Sequence, residues 1–217
     1  PYPYCYSGCD SEARGHEVYP VQFGHPSNAD KQWAMTHMDP NVTYFTREWG
    51  DNVDDWNSHN SPSRVARNWG EHAMLVQAQH YAAPSYPFTS YDALYRTPRQ
   101  HVGGCLWHSF DHQRGYHPDP YYGGIYDAFR QKKYAFEMFR AQDTSASPMV
   151  FIANEMTQFS DNDVVVFSNC DSVRLTMFEG DKVATLPVSH NADDKPCAPV
   201  VFKDFWNFWK AREYSYK

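Results

Sequence analysis

Leucine and isoleucine are scarce in this chain, five and two among 217 residues, so aliphatic side chains cannot supply the usual share of a buried core. No apolar run approaches the roughly 18 residues that a membrane-spanning helix needs, and no membrane span is expected. A basic stripe is lacking too. Nineteen Lys+Arg against 26 Asp+Glu give a formal net charge of -7, which offers a nucleic-acid backbone no electrostatic footprint. The five cysteines (Cys5, Cys9, Cys105, Cys170, Cys197) are odd in number, widely spread and without a CxxC pair. They define neither a disulfide framework nor a zinc site, and they leave the redox compartment open. No P-loop, dinucleotide fingerprint or serine nucleophile elbow occurs, because Gly103-Gly104 and Gly123-Gly124 are lone pairs without the required context. The first residues, Pro-Tyr-Pro-Tyr, carry neither an initiator Met nor a targeting segment, and the chain reads as a piece of something longer.

Aromatic residues are plentiful at 17%, with 7 Trp, 16 Tyr and 14 Phe, so rings must supply much of the buried area and a surplus suits a binding cleft. The length suits one medium domain or two small ones. Gln142 to Pro148 is a turn-rich stretch that divides two differently patterned regions, giving expected domains 1–143 and 148–217. In the first, strand candidates Tyr4–Ser7, Val18–His25, Val42–Glu48 and Gly103–Phe110 alternate with helical stretches, the pattern of a parallel α/β sheet or barrel. Ser61-Pro62-Ser63 reads as a helix start leading into Arg64–Tyr81, with Val65, Trp69, Ala73 and Val76 near helical spacing. A last helix is expected over Ile125–Arg140, with Ile125, Phe129, Phe136 and Phe139 as its core face. The second region reads as strands only: Asp163–Ser168, Ser172–Phe178, a turn at Glu179–Asp181 and Lys182–Val188, which fits a small antiparallel sandwich. Phe205–Trp209 is open between an edge strand and a stub that packs on further sequence.

Glu48 closes the third strand candidate, and a carboxylate at the C-terminal end of a strand sits where α/β barrels build active sites. Alternation places Tyr44, Thr46 and Glu48 on one face and Phe45 with Arg47 on the other. Spacing alone leaves Glu48 open between a catalytic carboxylate and an ordinary strand-end glutamate. In Gly103-Gly104-Cys105-Leu106-Trp107, Trp107 would reach the same rim, where an aromatic face can stack on a sugar ring, or it is simply core. His25, before Pro26, is open between a rim ligand and a structural histidine. His108, His112 and His117 with Asp111 and Asp119 lack any known metal-ligand spacing, and Asp51, Asp54 and Asp55 lack the Gly and Glu of a calcium loop, so no metal and no cofactor are expected.

Taken together, Phe45-Thr46-Arg47-Glu48-Trp49-Gly50-Asp51, then Gly103-Gly104-Cys105-Leu106-Trp107-His108-Ser109-Phe110-Asp111, then Gly124-Ile125-Tyr126-Asp127-Ala128-Phe129-Arg130-Gln131-Lys132-Lys133, resemble the end of the catalytic barrel of glycoside hydrolase family 2, its bacterial β-galactosidase-like members above all. Asp163 to Leu175 resembles the immunoglobulin-like domain that follows that barrel. The resemblance implies the C-terminal half of a (β/α)8 TIM barrel followed by a partial immunoglobulin-like β-sandwich. It implies a retaining mechanism with Glu48 as nucleophile and Trp107, His25 and Asp111 as substrate-binding residues. Its substrate would be an oligosaccharide or polysaccharide β-galactoside, and its location periplasmic or extracellular. The family's acid/base glutamate follows an Asn, yet no Asn-Glu pair precedes Glu48, and Asn154-Glu155 lies in the second domain. The partner implied is therefore the missing N-terminal half of the same enzyme, and the isolated chain is expected to turn over little substrate. The same gap motivates the alternative, a non-catalytic carbohydrate-binding or truncated remnant module.

Overall fold

The computed structural model describes residues 18–21, 43–49, 70–82, 101–106, 109–113, 120–190 and 196–215. Three short strands make a parallel sheet in chain order: β1 (Val18–Val21), β2 (Thr43–Trp49) and β3 (His101–Leu106). Val18 pairs with Thr43 and Val21 with Thr46, while on the other side of β2 Thr46 meets Gly104 and Trp49 meets Leu106. Parallel neighbours need a crossover, and α1 (Glu71–Ala82) lies in the one between β2 and β3. The expected third strand matches β2 to within a residue at each end. The expected fourth is described from His101, two residues early, to Leu106; Trp107 and His108 lie outside the described residues, and Phe110 bridges Tyr126. Tyr4–Ser7, Val42 and the helix start at Ser61–Ser63 lie outside the described residues, as do Gln22 to His25.

Helix α1 buries Met74, Ala78, Tyr81 and Ala82, a stripe at spacings of three and four, while Val76 of the expected face is only half-buried. The last helix is much shorter than its hydrophobic pattern suggests: α2 runs from Tyr134 to Arg140. Asp127 explains the difference. Its Oδ1 accepts the backbone N–H groups of Phe129 at 2.9 Å and Gln131 at 2.8 Å, offering the chain a turn in place of helical bonds. Arg130 then takes a left-handed φ of 67°, which ends any helical path through Ile125–Lys133. The buried face of α2 is Tyr134, Ala135, Glu137 and Met138, and Phe129, an expected core residue, is 86% exposed.

Beyond the turn at Asp143 come β4 (Val150–Ala153), β5 (Val164–Ser168), β6 (Ser172–Met177), β7 (Lys182–Pro187) and β8 (Val200–Phe202). One antiparallel sheet has the order β4-β5-β8, and β6 and β7 form an antiparallel hairpin. The expected strands are β5, β6 and β7; β4 and β8, of four and three residues, are too short for their pattern to stand out. The expectation of strands alone is corrected by α3 (Phe208–Ser215), into which the Phe205–Trp209 segment leads after burying Phe205 and Trp206.

Every residue of β5 is buried, and alternation divides them between two cores. Val165 and Phe167 join Met74, Ala78, Tyr81, Tyr134 and Met138 of the two helices, together with Met149 and Ala153. Val164 and Val166 join Val173, Leu175 and Met177 of β6, Val200 and Phe202 of β8, and Trp206. The result is three layers, with helices on one face of the β4-β5-β8 sheet and the hairpin on the other. The first core takes residues from both sides of the Asp143–Pro148 turn.

Candidate active site

Strands that run the same way present their carboxyl ends at one edge, which is where open and closed α/β sheets bind ligands. Glu48 is the penultimate residue of β2, the middle strand, and its neighbour Trp49 pairs with Leu106, the last residue of β3. The ladder is irregular at this point. From Thr46 to Trp49 β2 advances three residues while β3 advances two, from Gly104 to Leu106. One extra residue on the strand that carries Glu48, relative to β3, is a bulge in the backbone ladder. Trp107 follows Leu106 in the chain and lies, like His25, outside the described residues.

Asp111 is described, and it is buried. Its Oδ1 accepts from Nζ of Lys133 at 2.8 Å and from the N–H of Gly124 at 3.0 Å. The two side chains are 4% and 0% exposed, and Lys133 also donates to the carbonyl of Tyr122 at 2.6 Å. Burial pushes the Asp111 carboxyl up to about 6, against the pull of the Lys133 charge and hydrogen bond and of the Gly124 N–H. The carboxylate that the sequence marks for substrate contact thus fastens the segment leaving β3 to the Tyr121–Tyr126 stretch. Backbone bonds complete the clasp: Asp111 N–H to the Tyr126 carbonyl at 3.0 Å and Tyr126 N–H to the Ser109 carbonyl at 2.9 Å.

Gly124 is compulsory here. A Cβ on it would stand 2.3 Å from the Asp111 nitrogen and 2.6 Å from the Tyr126 oxygen, both backbone atoms. From the α1 side, Nε2 of the buried Gln77 donates to the carbonyls of Gly123 and Gly124, each at 3.0 Å. Sequence reasoning passed over Gln77 and Lys133 as site-supporting residues. The available signal was the Gly123-Gly124 pair, which marks a close approach of two backbones as readily as a phosphate loop.

Of the weighed metal cluster, His112 turns Nδ1 to the Phe110 carbonyl at 3.1 Å and stacks on Tyr121, while Asp111 is held by Lys133. Among the described residues no three histidine, cysteine, aspartate or glutamate side chains gather as a metal would require. A cleft of about 540 Å³ opens elsewhere, between Leu75 and Gln79 of α1 and Asp161, Asp163, Val165 and Lys203. Its acids are engaged, Asp163 with Lys203 at 2.6 Å and Asp161 with His72 at 3.3 Å.

No family model matches the chain, and no curated protein matches it. Among solved structures, the crystal structure of an FMN-binding beta-glucuronidase from Facaelibacterium prausnitzii L2-6 is similar over 88% of this chain, at 16% identity and a TM-score of 0.45. This chain covers 29% of that one. The relation to a glycosidase is weak, and no step of the site chemistry rests on it.

Proposed function

We propose that this chain is part of a retaining exo-β-glycosidase of glycoside hydrolase family 2, with Glu48 as nucleophile and terminal β-galactosides as substrate. The observation that carries the reading is the place of Glu48, one residue from the carboxyl end of the middle strand of a parallel sheet. The order β1-β2-β3 supports a (β/α)8 barrel half over residues 1–143, and the two facing antiparallel sheets support an immunoglobulin-like sandwich over 148–217.

In the first step a carboxylate oxygen of Glu48 bonds to the anomeric carbon while the glycosidic C–O bond breaks. The electron pair leaves with the departing oxygen, which takes a proton from a second carboxylic acid. Water, losing a proton to that same group, then displaces Glu48. No residue before Glu48 matches the family's Asn-Glu acid/base, so the proposal assigns that role to polypeptide outside this chain. Trp107 and His25 line the sugar subsite, and Asp111 holds the segment beside it.

A dinitrophenyl β-galactoside bearing fluorine in place of its 2-hydroxyl tests Glu48 alone, because so good a leaving group departs without a proton donor. The chain is expected to gain one fluorogalactosyl group on the peptide that contains Glu48, and Glu48→Gln to gain none. Labelling of any other residue, or of Glu48→Gln, overturns the assignment. Galactose-dependent tryptophan quenching without labelling, lost in Trp107→Ala, identifies a carbohydrate-binding module instead.

A further inference from the structure

Two residues of chain separate the last rung of β3 from the next anchored backbone group. Leu106 pairs with Trp49 of β2, and the Ser109 carbonyl accepts the Tyr126 N–H at 2.9 Å. The two residues between them are Trp107 and His108. Backbone spans at most about 3.6 Å per residue, so the course open to Trp107 is set by where Ser109 is held. Further bonds hold Ser109 in turn: the Asp111 N–H donates to the Tyr126 carbonyl at 3.0 Å, and His112 and Tyr121 exchange backbone bonds of 3.1 and 2.8 Å.

One side chain joins both banks of this clasp to the helix beside them. Lys133 is the residue before α2, and its own N–H donates to the Ile125 carbonyl at 2.9 Å. Its Nζ reaches Asp111 Oδ1 at 2.8 Å on the segment leaving β3 and the Tyr122 carbonyl at 2.6 Å on the opposite bank. A buried ion pair of this kind adds little net stability over apolar side chains of similar volume, so its distinctive contribution is a fixed geometry. The Lys133 side chain is 0% exposed, so a substrate cannot touch it and its influence passes through Asp111. We propose that Lys133 is a positioning residue of the sugar subsite: by holding Asp111 against the Tyr122–Gly124 backbone it sets the place of Trp107 beside the sugar, a role that rests on Glu48 as nucleophile and Trp107 as sugar platform.

The rate at which the fluorinated dinitrophenyl galactoside labels the 217-residue chain, followed against its concentration, separates sugar affinity from chemistry at Glu48. Lys133→Met is expected to raise the half-saturating concentration about tenfold or more and to leave the saturating rate within about twofold of the parent. Two further variants separate position from stability. Phe202→Ala, in the core between the two antiparallel sheets, is expected to lower the urea midpoint with half-saturation unchanged. Lys133→Met combined with Asp111→Asn strands no charge and is expected to keep most of the midpoint, yet still to require about threefold more galactoside or more, because the Tyr122 carbonyl has lost its donor. This double variant also carries the test if Lys133→Met alone fails to fold. Half-saturation that follows the midpoint through all the variants, or that stays at the parent value in the double variant, overturns the proposal and leaves Glu48 in place. A parent chain that takes no label on Glu48 overturns the reading of the site and this proposal together.

Discussion

Replacing Lys133 by methionine removes the cation from a fully buried ion pair while keeping most of its volume, and the cost should depend on pH in a defined way. In the intact protein burial raises Asp111 from the ordinary 3.8 to about 6. The folded chain therefore binds that proton more tightly than the unfolded chain. The associated stability is fully present below about pH 4 and is lost as pH rises through about 6, a change of roughly 3 kcal/mol for about two pH units. Lys133 supplies the two largest pulls in the other direction. Without it the carboxyl moves higher still, and the falling limb extends further toward neutrality. At about pH 7.5 Lys133→Met should lose about 3–5 kcal/mol, the usual consequence of stranding one buried charge. At about pH 4.5, with Asp111 protonated, the loss should shrink to about 1–2 kcal/mol, mostly the hydrogen bond to the Tyr122 carbonyl. Urea denaturation followed by circular dichroism at both pH values measures this directly. Adding Asp111→Asn should restore much of the neutral-pH loss, since no charge is then stranded. A Lys133→Met loss of equal size at both pH values would refute the reasoning.

Gly124→Ala should cost about 3 kcal/mol or more in the same assay, because its Cβ meets backbone that can yield only by opening the Ser109–Asp111 clasp. Phe167→Ala should cost about 3–5 kcal/mol, since the ring is 1% exposed between the helices and the middle strand; a loss below about 1 kcal/mol would show that the helical layer does not depend on it. Asp127→Ala should destabilise by about 1–2 kcal/mol through the two N–H groups it leaves without their acceptor, and Asp127→Asn by less; equal losses would mean that the turn needs the charge rather than the oxygen. Turnover of an aryl β-galactoside by the 217-residue chain should be near background, and robust turnover surviving Glu48→Gln would remove Glu48 from the chemistry.

Local pattern determined a good deal of this protein. Strict alternation in Ser172–Met177 and the β-branched run Val164–Val166 were enough to place β6 and β5, and the residue types of Glu179–Asp181 were enough to place the turn between β6 and β7. The strand carrying Glu48 was equally legible, because Val42 to Trp49 combines β-branched and aromatic residues with a charged end. Tertiary structure decided what depends on partners distant in sequence. The hydrophobic spacing of Ile125–Arg140 cannot announce that the Asp127 side chain will capture two backbone N–H groups, nor that Tyr126 will bridge Phe110. Asp111 and Lys133, 22 residues apart, become an ion pair only when two backbones close to the distance that Gly124 permits. The two faces of β5 look alike in sequence, and only the layers packed on each side make one of them helix-facing and the other sheet-facing. Period and propensity act over a few neighbouring residues, whereas burial, pairing and the ionisation of Asp111 are properties of what the folded chain brings beside them.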